Sequence, residues 1–251
     1  MEEKEKKSIN YWIKELLLYS ADKQVLLNGE WLTDSIISAA QQLLKKDFPH
    51  IGGLQPTILS TKYLFDVQRC EFIQILHVYG SHWLTISNIG CPAGSINVYD
   101  SLPNCALYSN MKRQIATILF LTDQKMITVN FVDVQIQGNG SDCGVYALAF
   151  VTSLCCGEDP AKINYASPMS REHLYKCLEN QKMTSFPQRS RGKKARCRNQ
   201  TSFEIFCKCR NPEYGKMICC NSCREWYHED CITAPPAVWK NINIQWFCDN
   251  C

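Results

Sequence analysis

The residues with the clearest chemical potential are a cysteine and the turn in front of it, Gln137-Gly-Asn-Gly-Ser-Asp-Cys143-Gly144. Two glycines supply the turn, and Ser141 or Asp142 is suited to cap a helix over the apolar residues that follow. Cys143 then lies in the first turn of a buried helix, where free N–H groups and the positive end of the helix dipole favour a thiolate. The pattern predicts a cysteine nucleophile.

A nucleophile of this kind needs a base, a group that orients the base, and donors for the developing oxyanion. His82 precedes one predicted strand, and Asp100 follows another, eighteen residues later. A hairpin between these strands would let Asp100 orient the ring while His82 presents its other nitrogen to Cys143. Gln137 carries an amide that could reach the same point and act as an oxyanion donor.

Each of these residues also has a structural interpretation. A cysteine before an apolar helix is more often a buried small hydrophobe than a nucleophile. Asp100 could simply end a strand, and Gln137 could satisfy a loop. His77, inside an apolar strand, and His50, beside a turn, are weaker candidates for the base. The order His, Asp, Gln, Cys at these spacings favours the catalytic interpretation.

The elements that position these residues follow from hydrophobic periodicity. A helix, several strands and then further helices follow one another along the chain, which predicts an α+β core. Helices are predicted to open at Trp31-Leu-Thr-Asp, Met111, Cys143 and about Ser170, and strands are predicted at residues 71–78, 83–86, 95–99 and 127–134.

The chain has 251 residues, 45% of them hydrophobic. This is enough to form one substantial core and one small module. The predicted organisation is a charged N-terminal tail (1–23), a catalytic domain (24–182), a basic flexible linker (183–203) and a separate C-terminal unit (204–251). The linker is rich in Lys and Arg, so the basic character belongs to that segment.

Cysteine usage and the N-terminus bear on the compartment. The charged start of the chain is not followed by an apolar signal core, and no apolar stretch is long enough for a membrane span. We therefore expect a reducing, intracellular compartment and no membrane partner. Nine of the sixteen cysteines lie at or after Cys197, and in such a compartment clustered cysteines indicate metal binding or catalysis.

Residues 24–182 resemble the ubiquitin-like-protein-specific cysteine proteases, the Ulp or sentrin-specific protease family that deconjugates SUMO and NEDD8. The order of the motifs separates the chain from papain-like enzymes in which Gln and Cys precede His, although the implied fold is a papain-like core of the Ulp type. The motifs that carry the resemblance are Trp31-Leu-Thr-Asp, His82-Trp83, Val98-Tyr-Asp100-Ser and Gln137 with Gly-Ser-Asp-Cys143-Gly.

The resemblance implies a triad of Cys143, His82 and Asp100, with Gln137 and the Cys143 N–H group as the oxyanion hole and no cofactor in catalysis. It also assigns Trp31 and Trp83 to the walls of a narrow tunnel. Such a tunnel would admit a Gly-Gly tail, because glycine has no Cβ and two indoles can close over its backbone. Alternatively, both tryptophans belong to the core.

The C-terminal unit has the ligand spacing of two closed tetrahedral zinc sites. Forty-eight residues rarely hold a core without such a staple, and a disulfide framework is disfavoured by a histidine in register. Cys219 is an alternative to its neighbour Cys220. The candidate ligands are Cys207, Cys209, Cys220, Cys223, His228, Cys231, Cys248 and Cys251.

The spacing resembles a PHD finger more than a RING finger, in which the histidine would follow three cysteines. The resemblance implies a cross-braced fold with two zinc ions, one held by Cys207, Cys209, His228 and Cys231 and the other by the remaining four. It further implies binding of a histone-three tail. Residues at positions that resemble a methyl-lysine cage are Phe206, Tyr214, Met217 and Trp226, although Phe206 and Met217 could instead pack the small core.

Together these features predict a nuclear cysteine isopeptidase or C-terminal hydrolase, acting on SUMO and brought to chromatin by its zinc module. The basic residues 191–196 could be a nuclear import signal, a contact for nucleic-acid phosphates, or a solvated linker. Three alternatives remain open at this point: a protease for NEDD8 or ubiquitin, a protease for a mobile-element protein, and a catalytically silent chromatin adaptor.

Overall fold

The computed structural model describes residues 10–102, 106–189, 199–241, 243–249 and 251. Helices and strands alternate irregularly, and four short 3₁₀ segments connect them. In chain order the elements are β1 (Tyr11–Ile13), β2 (Leu18–Tyr19), α1 (Ser20–Leu27), α2 (Asp34–Asp47), β3 (Gly52–Gly53), β4 (Phe72–Val78), β5 (His82–Ser87), β6 (Ser95–Tyr99), α3 (Ser109–Ile118), β7 (Met126–Val132), α4 (Cys143–Cys155), α5 (Ser167–Glu179), β8 (Gln200–Glu204), β9 (Met217–Cys219), β10 (Trp226–His228) and α6 (Pro236–Lys240).

A six-stranded mixed sheet in the order β3-β4-β5-β6-β7-β8 forms the centre of the larger domain. The β3–β4 and β6–β7 pairs are parallel, and the other pairs are antiparallel. Helices α2, α4 and α5 share a hydrophobic core on one face, while α3 packs against the other face. This mixed architecture agrees with the predicted α+β class.

The two cores follow from the period-two pattern of the central strands. In β5, Trp83 lies in the core that holds α4, and Thr85 donates a hydrogen bond of 2.9 Å to the Ala147 carbonyl of that helix. The intervening residues Leu84 and Ile86 lie in the core that holds α3. Helix α4 is apolar and buried along nearly its whole length, which fixes its position against the sheet. In the described residues no helix, α4 included, is both long and apolar enough to cross a bilayer.

The predicted N-terminal tail differs from the structure over its second half. Residues 10–23 form β1, β2 and the start of α1, and β1 pairs with β2. The physical reason is that Leu16 and Leu18 alternate with charged and exposed residues and bury themselves in the same core as α4. Residues 1–9 lie outside the described residues.

The predicted flexible linker also differs from the structure, at both of its ends. Met183 and Phe186 are buried in the core next to α5, so isolated apolar residues anchor the first part to the larger domain. At the other end, β8 pairs with β7 and forms the edge of the main sheet. Residues 190–198, which carry most of the basic charge, lie outside the described residues.

The C-terminal unit is a β9–β10 hairpin with a small core that includes Cys220, Tyr227 and Trp246. It follows β8 directly and packs against the larger domain. The Arg113 guanidinium of α3 lies 3.8 Å from the ring centre of Tyr63 and 4.0 Å from that of Tyr214 in the C-terminal unit. One arginine of the larger domain therefore stacks between aromatic rings of both units.

Candidate functional site

His82 and Asp100 lie side by side where β5 begins and β6 ends. The antiparallel pairing of these strands brings their ends together, as the predicted hairpin requires. His82 Nε2 is 2.7 Å from Asp100 Oδ1, and both side chains are buried. The same carboxylate oxygen accepts a hydrogen bond of 2.8 Å from the Leu102 N–H group. Asp100 is thus fixed by the backbone and in turn fixes the orientation of the His82 ring.

Cys143 is the first residue of α4 and is hydrogen-bonded to His82. Since Nε2 faces Asp100, the other ring nitrogen, Nδ1, is the one that faces sulfur. The backbone N–H groups of Trp83 and Gly144 also point at the sulfur. These three donors converge on the sulfur of a residue that is only 2% exposed.

The electrostatics of the pair favour a charged thiolate and a charged imidazole ring. Burial disfavours the charged form of each, but hydrogen bonds outweigh it. Those that the ring makes to Asp100 and Cys143 raise the pKa of His82 to about 9. The hydrogen bond from His82 and those from the Trp83 and Gly144 N–H groups lower the pKa of Cys143 below its ordinary value. The arrangement can therefore hold a thiolate beside an imidazolium.

Gln137 is buried and held from both ends of its amide. Its Oε1 accepts a hydrogen bond of 2.6 Å from Ser101 Oγ, and its Nε2 donates one of 2.6 Å to the Asn139 carbonyl. The backbone N–H of Gln137 also donates to the Ser101 carbonyl at 3.0 Å. Gln137 is therefore hydrogen-bonded to Ser101, the residue that follows Asp100 of the Asp100–His82 pair.

The turn before Cys143 is built by Asn139 rather than by the glycines on either side of it. Asn139 Oδ1 accepts hydrogen bonds of 3.0 Å from the N–H groups of Ser141 and Asp142. Neither Gly138 nor Gly140 has a positive φ, and a Cβ at either would meet nothing within 4 Å. The glycines therefore make the turn easy but are not what shapes it, which sequence reasoning missed.

Asp142 occupies the N-cap position of α4, but its side chain does not cap the helix. Its Oδ2 accepts from Asn139 Nδ2 at 2.8 Å, and its Oδ1 accepts from Arg171 Nε of α5 at 2.7 Å. Arg171 was not among the predicted site residues. Its sequence neighbourhood is a polar helix face, and its role becomes visible only when α5 is placed beside the turn.

The two predicted tunnel residues are placed differently. Trp31 is 57% exposed and donates from Nε1 to the Gly140 carbonyl at 2.8 Å, so its indole lies over the turn before Cys143. Trp83 is buried and donates from Nε1 to the Leu32 carbonyl at 3.0 Å. Leu32 in turn packs so closely on α4 that a Cβ at Gly144 would lie 3.0 Å from Leu32 Cβ.

The cysteines and histidine of the C-terminal unit form two clusters, and the metal donors of each lie within 4.8 Å of one another. Sulfur–sulfur distances of 3.7 Å for Cys220–Cys251 and 3.8 Å for Cys223–Cys248 fit a tetrahedron of about 2.3 Å zinc–sulfur bonds, whose edge is about 3.8 Å. The clusters interleave in sequence as Cys207, Cys209, His228 and Cys231, and Cys220, Cys223, Cys248 and Cys251.

His228 fits the role of a zinc ligand in both of its ring nitrogens. Nδ1 lies 3.3 Å from Cys209 Sγ, on the cluster side, and Nε2 lies 3.0 Å from the Pro212 carbonyl. A hydrogen bond from the ring nitrogen that does not bind the metal fixes the tautomer and orientation of a ligating histidine. Cys219 is not part of either cluster among the described residues, so Cys220 is the member of the adjacent pair that fits.

The four predicted cage residues line two cavities, two residues in each. Phe206 and Tyr214 line a cavity of about 440 Å³ that also borders α3 of the larger domain. Met217 and Trp226 line one of about 530 Å³ on the open side of the hairpin, where Trp226 is 45% exposed. Tyr214 stacks on His228 at 3.9 Å and under Arg113, so both of its faces are covered.

Comparison with known families decides the assignment of the larger domain. The sequence model of the Ulp1 protease family, C-terminal catalytic domain, matches residues 40–201. The chain belongs to the Ulp1 protease family. The match includes the first residues of β8, which agrees with the place of that strand in the sheet. A PHD-finger model matches residues 206–251. The predicted order, a Ulp-type protease followed by a PHD finger, is confirmed.

Solved structures agree on the fold of the Ulp1-family domain. The chain is similar to a structure described as SUMO protease Ulp1 with the catalytic cysteine oxidized to a sulfonic acid, with 15% identity and a TM-score of 0.52 over 69% of this chain and 89% of that chain. A second, with the cysteine oxidized to a sulfinic acid, has 16% identity and a TM-score of 0.50 over the same shares. The predicted Ulp-type fold with a cross-braced PHD finger is confirmed.

Proposed function

We propose that this Ulp1-family protein is a cysteine peptidase and isopeptidase that cleaves after the C-terminal Gly-Gly of a ubiquitin-like modifier, with SUMO as the first candidate. The observation that supports this most strongly is the continuous hydrogen-bonded array from Asp100 through His82 to Cys143 at the start of a buried helix. The pKa directions of His82 and Cys143 favour a thiolate–imidazolium pair near neutral pH. Such a pair is the reactive form of a cysteine nucleophile.

The proposed reaction is acyl transfer in two steps. The Cys143 thiolate attacks the carbonyl carbon of the modifier's terminal glycine, and the electrons of the C=O bond move to oxygen. As the carbonyl re-forms, the C–N bond breaks, and the amine leaves with the proton from His82 Nδ1. His82, now neutral, takes a proton from water, which attacks the thioester and releases the modifier and the thiolate. No cofactor takes part in this scheme.

Gln137 is the proposed side-chain donor to the oxyanion, together with the Cys143 N–H group. An amide nitrogen carries two hydrogens, and the bond to the Asn139 carbonyl uses one of those on Gln137 Nε2. The Ser101 hydroxyl holds the other end of the amide, so the donor is pre-oriented before substrate arrives. Donors fixed in advance stabilise developing charge without reorganisation.

Trp31 is the proposed cover of the modifier tail. Its exposed indole lies over the turn that leads to Cys143, and a Gly-Gly backbone is thin enough to pass beneath it. Trp83 contributes differently, since its buried ring supports the Leu32 carbonyl and its N–H group faces the thiol. We therefore expect the exposed indole of Trp31 and the main chain of Trp83, rather than the Trp83 ring, to form the walls of the tunnel.

The test is covalent labelling with probes of SUMO, NEDD8 and ubiquitin that carry a thiol-reactive group at the C-terminus. We expect the wild type to be labelled by one probe in preference, and Cys143→Ala not to be labelled. No labelling by any probe, with a folded and zinc-loaded protein, would overturn the modifier-protease proposal. In hydrolysis of a tail-fused reporter, Gln137→Ala should lose about 10²–10³ in rate. Full activity of that variant would remove Gln137 from the oxyanion site.

The alternatives are distinguished by the same experiment. Preferential labelling by a NEDD8 or ubiquitin probe would keep the chemistry and change the substrate. Cleavage of a mobile-element protein would require activity without labelling by any modifier probe. A silent chromatin adaptor would show neither labelling nor cleavage. The hydrogen-bonded array of Asp100, His82 and Cys143 argues against an adaptor, because an adaptor does not need a thiol with a lowered pKa.

We propose that each Cys/His cluster of the PHD finger holds one zinc ion and that the finger binds a histone-three tail. Among the described residues β9 pairs on one side with β10, so its other edge can receive an extended peptide. Met217 and Trp226 line the cavity beside it. The proposed contact for a methyl-lysine is therefore this pair, since both faces of Tyr214 are covered.

Titration of the zinc-loaded protein with methylated and unmethylated histone-three tail peptides tests this binding. Trp226→Ala should weaken binding of the methylated peptide about fivefold or more, because a cation–π contact contributes about 1 kcal/mol at an exposed site. Phe206→Ala is the matched control on the other cavity. Absence of binding for both peptides would overturn the proposal. A nuclear location is proposed with it, on the basis of the chromatin partner.

A further inference from the structure

Residues 30–32, called the Trp31 segment, are hydrogen-bonded to several elements around the turn before Cys143. The Glu30 carbonyl accepts a hydrogen bond of 2.8 Å from Arg171 Nη2, and Trp31 Nε1 donates 2.8 Å to the Gly140 carbonyl. One residue further on, the Leu32 carbonyl accepts from Trp83 Nε1 at 3.0 Å. Three consecutive residues are thus held by three different elements around Cys143.

Arg171 of α5 hydrogen-bonds to both the Trp31 segment and the turn. Its Nε lies 2.7 Å from Asp142 Oδ1, and its Nη2 lies 2.8 Å from the Glu30 carbonyl and 3.1 Å from the Ser141 carbonyl. A longer contact of 3.5 Å joins Nη1 to the Leu26 carbonyl at the end of α1. The guanidinium therefore joins α1, the Trp31 segment, the turn and α5.

Both charges of this contact are largely removed from water, because the side chains of Arg171 and Asp142 are 16% and 8% exposed. An ion pair in that setting is held in one geometry by its hydrogen bonds rather than by long-range attraction. A planar guanidinium has donors in several fixed directions, whereas a lysine ammonium on a flexible stem does not reproduce that fork. The contact is built for orientation, not for net charge.

We propose that Arg171 is a positioning residue that sets the distance between the Trp31 cover and the Cys143 turn, and so the depth at which a substrate tail is held over the thiol. Arg171 does not touch the reacting atoms; it acts through Asp142, Ser141 and Glu30. The catalytic consequence rests on the proposed function, but the mechanical link between Trp31 and the turn does not.

The geometry predicts a separation of two effects. The donors to the Cys143 sulfur come from His82, Trp83 and Gly144, none of which is bonded to Arg171. Thiolate reactivity toward a small reagent should therefore survive loss of Arg171. Hydrolysis of a tail substrate should not, since a misplacement of about 1 Å at a reacting centre costs about 10²-fold in rate.

The test compares Arg171→Met and Arg171→Lys with Lys176→Met, a control on the same helix whose side chain is 63% exposed. For both Arg171 variants we expect kcat/KM on a tail-fused reporter to fall, by about 10²-fold for Met and less for Lys. Alkylation of Cys143 by iodoacetamide should stay within about threefold of the wild type. A merely structural role would reduce both rates together, and that result would overturn the positioning role.

Hydrogen exchange keeps this proposal separate from the fate of the proposed function. Peptides covering residues 28–33 and 139–142 should exchange faster in Arg171→Met than in Lys176→Met, while α4 stays protected. Unchanged exchange in both peptides would overturn the link even if activity fell. If the wild type cleaves no reporter, the proposed function fails, and the exchange result still supports or overturns the link. Should Arg171→Met not fold, Arg171→Lys carries the same comparison.

Discussion

The Asp100–His82 contact supports a quantitative prediction about pH. In Asp100→Asn the carboxylate charge is lost while the shape of the side chain is kept. Burial then acts on His82 with one of its main opposing contacts removed, so the pKa should return from about 9 to about its ordinary 6.5 or below. Asn donates or accepts a neutral hydrogen bond and cannot hold the proton on the ring in the same way.

The magnitude follows from the two pKa values. At pH 8 about 91% of His82 is protonated for a pKa of about 9, and about 3% for a pKa of about 6.5. The corresponding fractions at pH 6 are about 99.9% and about 76%. If the imidazolium donates the proton to the leaving amine, the variant's deficit from this cause should grow from about 1.3-fold at pH 6 to about 30-fold at pH 8.

The assay is hydrolysis of two substrates with the same modifier tail, an amide and a thioester, between pH 6 and 8. A thiol leaving group departs without a proton, so the thioester reports changes in Cys143 ionisation and in orientation. The ratio of amide to thioester rates then isolates the protonation of His82. A variant-to-wild-type ratio that stays constant across this pH range would refute the reasoning, whatever the absolute loss of rate.

Three further predictions concern stability and are measured by thermal unfolding. Gly53→Ala should destabilise the protease domain by about 2–4 kcal/mol, since its Cβ would lie 2.2 Å from the Ile73 carbonyl oxygen at a φ of +74°; Gly90→Ala, at a φ of +68° in open space, should cost only about 1 kcal/mol. Arg113→Ala should lower the melting temperature by about 2–4 °C through the lost ring contacts, with hydrolysis unchanged. Chelation of zinc should unfold the finger and lower the protease melting temperature by about 2–6 °C, whereas independent melting of the two domains would contradict their contact.

The catalytic candidates could be predicted from sequence because each one's position depends on local patterns. A turn before an apolar helix indicates where Cys143 lies, and two strand ends on a hairpin indicate that His82 and Asp100 meet. The zinc clusters were equally accessible, since ligand spacing encodes their geometry directly.

What could not be predicted depends on contacts between distant segments. Arg171 lies on a helix that is polar by pattern, and its partners Asp142 and Glu30 are 29 and 141 residues away in sequence. The positions of β8 and of Phe186 were missed for a related reason. A short or isolated apolar stretch in a polar segment gives no periodic signal, although pairing with β7 or burial beside α5 suffices to fix it.

The position of β8 has a consequence for how this protein is handled and how its chain is divided. Cutting the chain after α5 would remove the strand that covers β7 and leave a free sheet edge over Met126–Val132. An uncovered edge of alternating buried and solvent-facing residues is a template for a second chain, so such fragments should pair edge to edge, exchange strands or precipitate. The smallest protease fragment that stays monomeric and soluble should therefore extend to at least Glu204, three residues before the first cysteine of the finger.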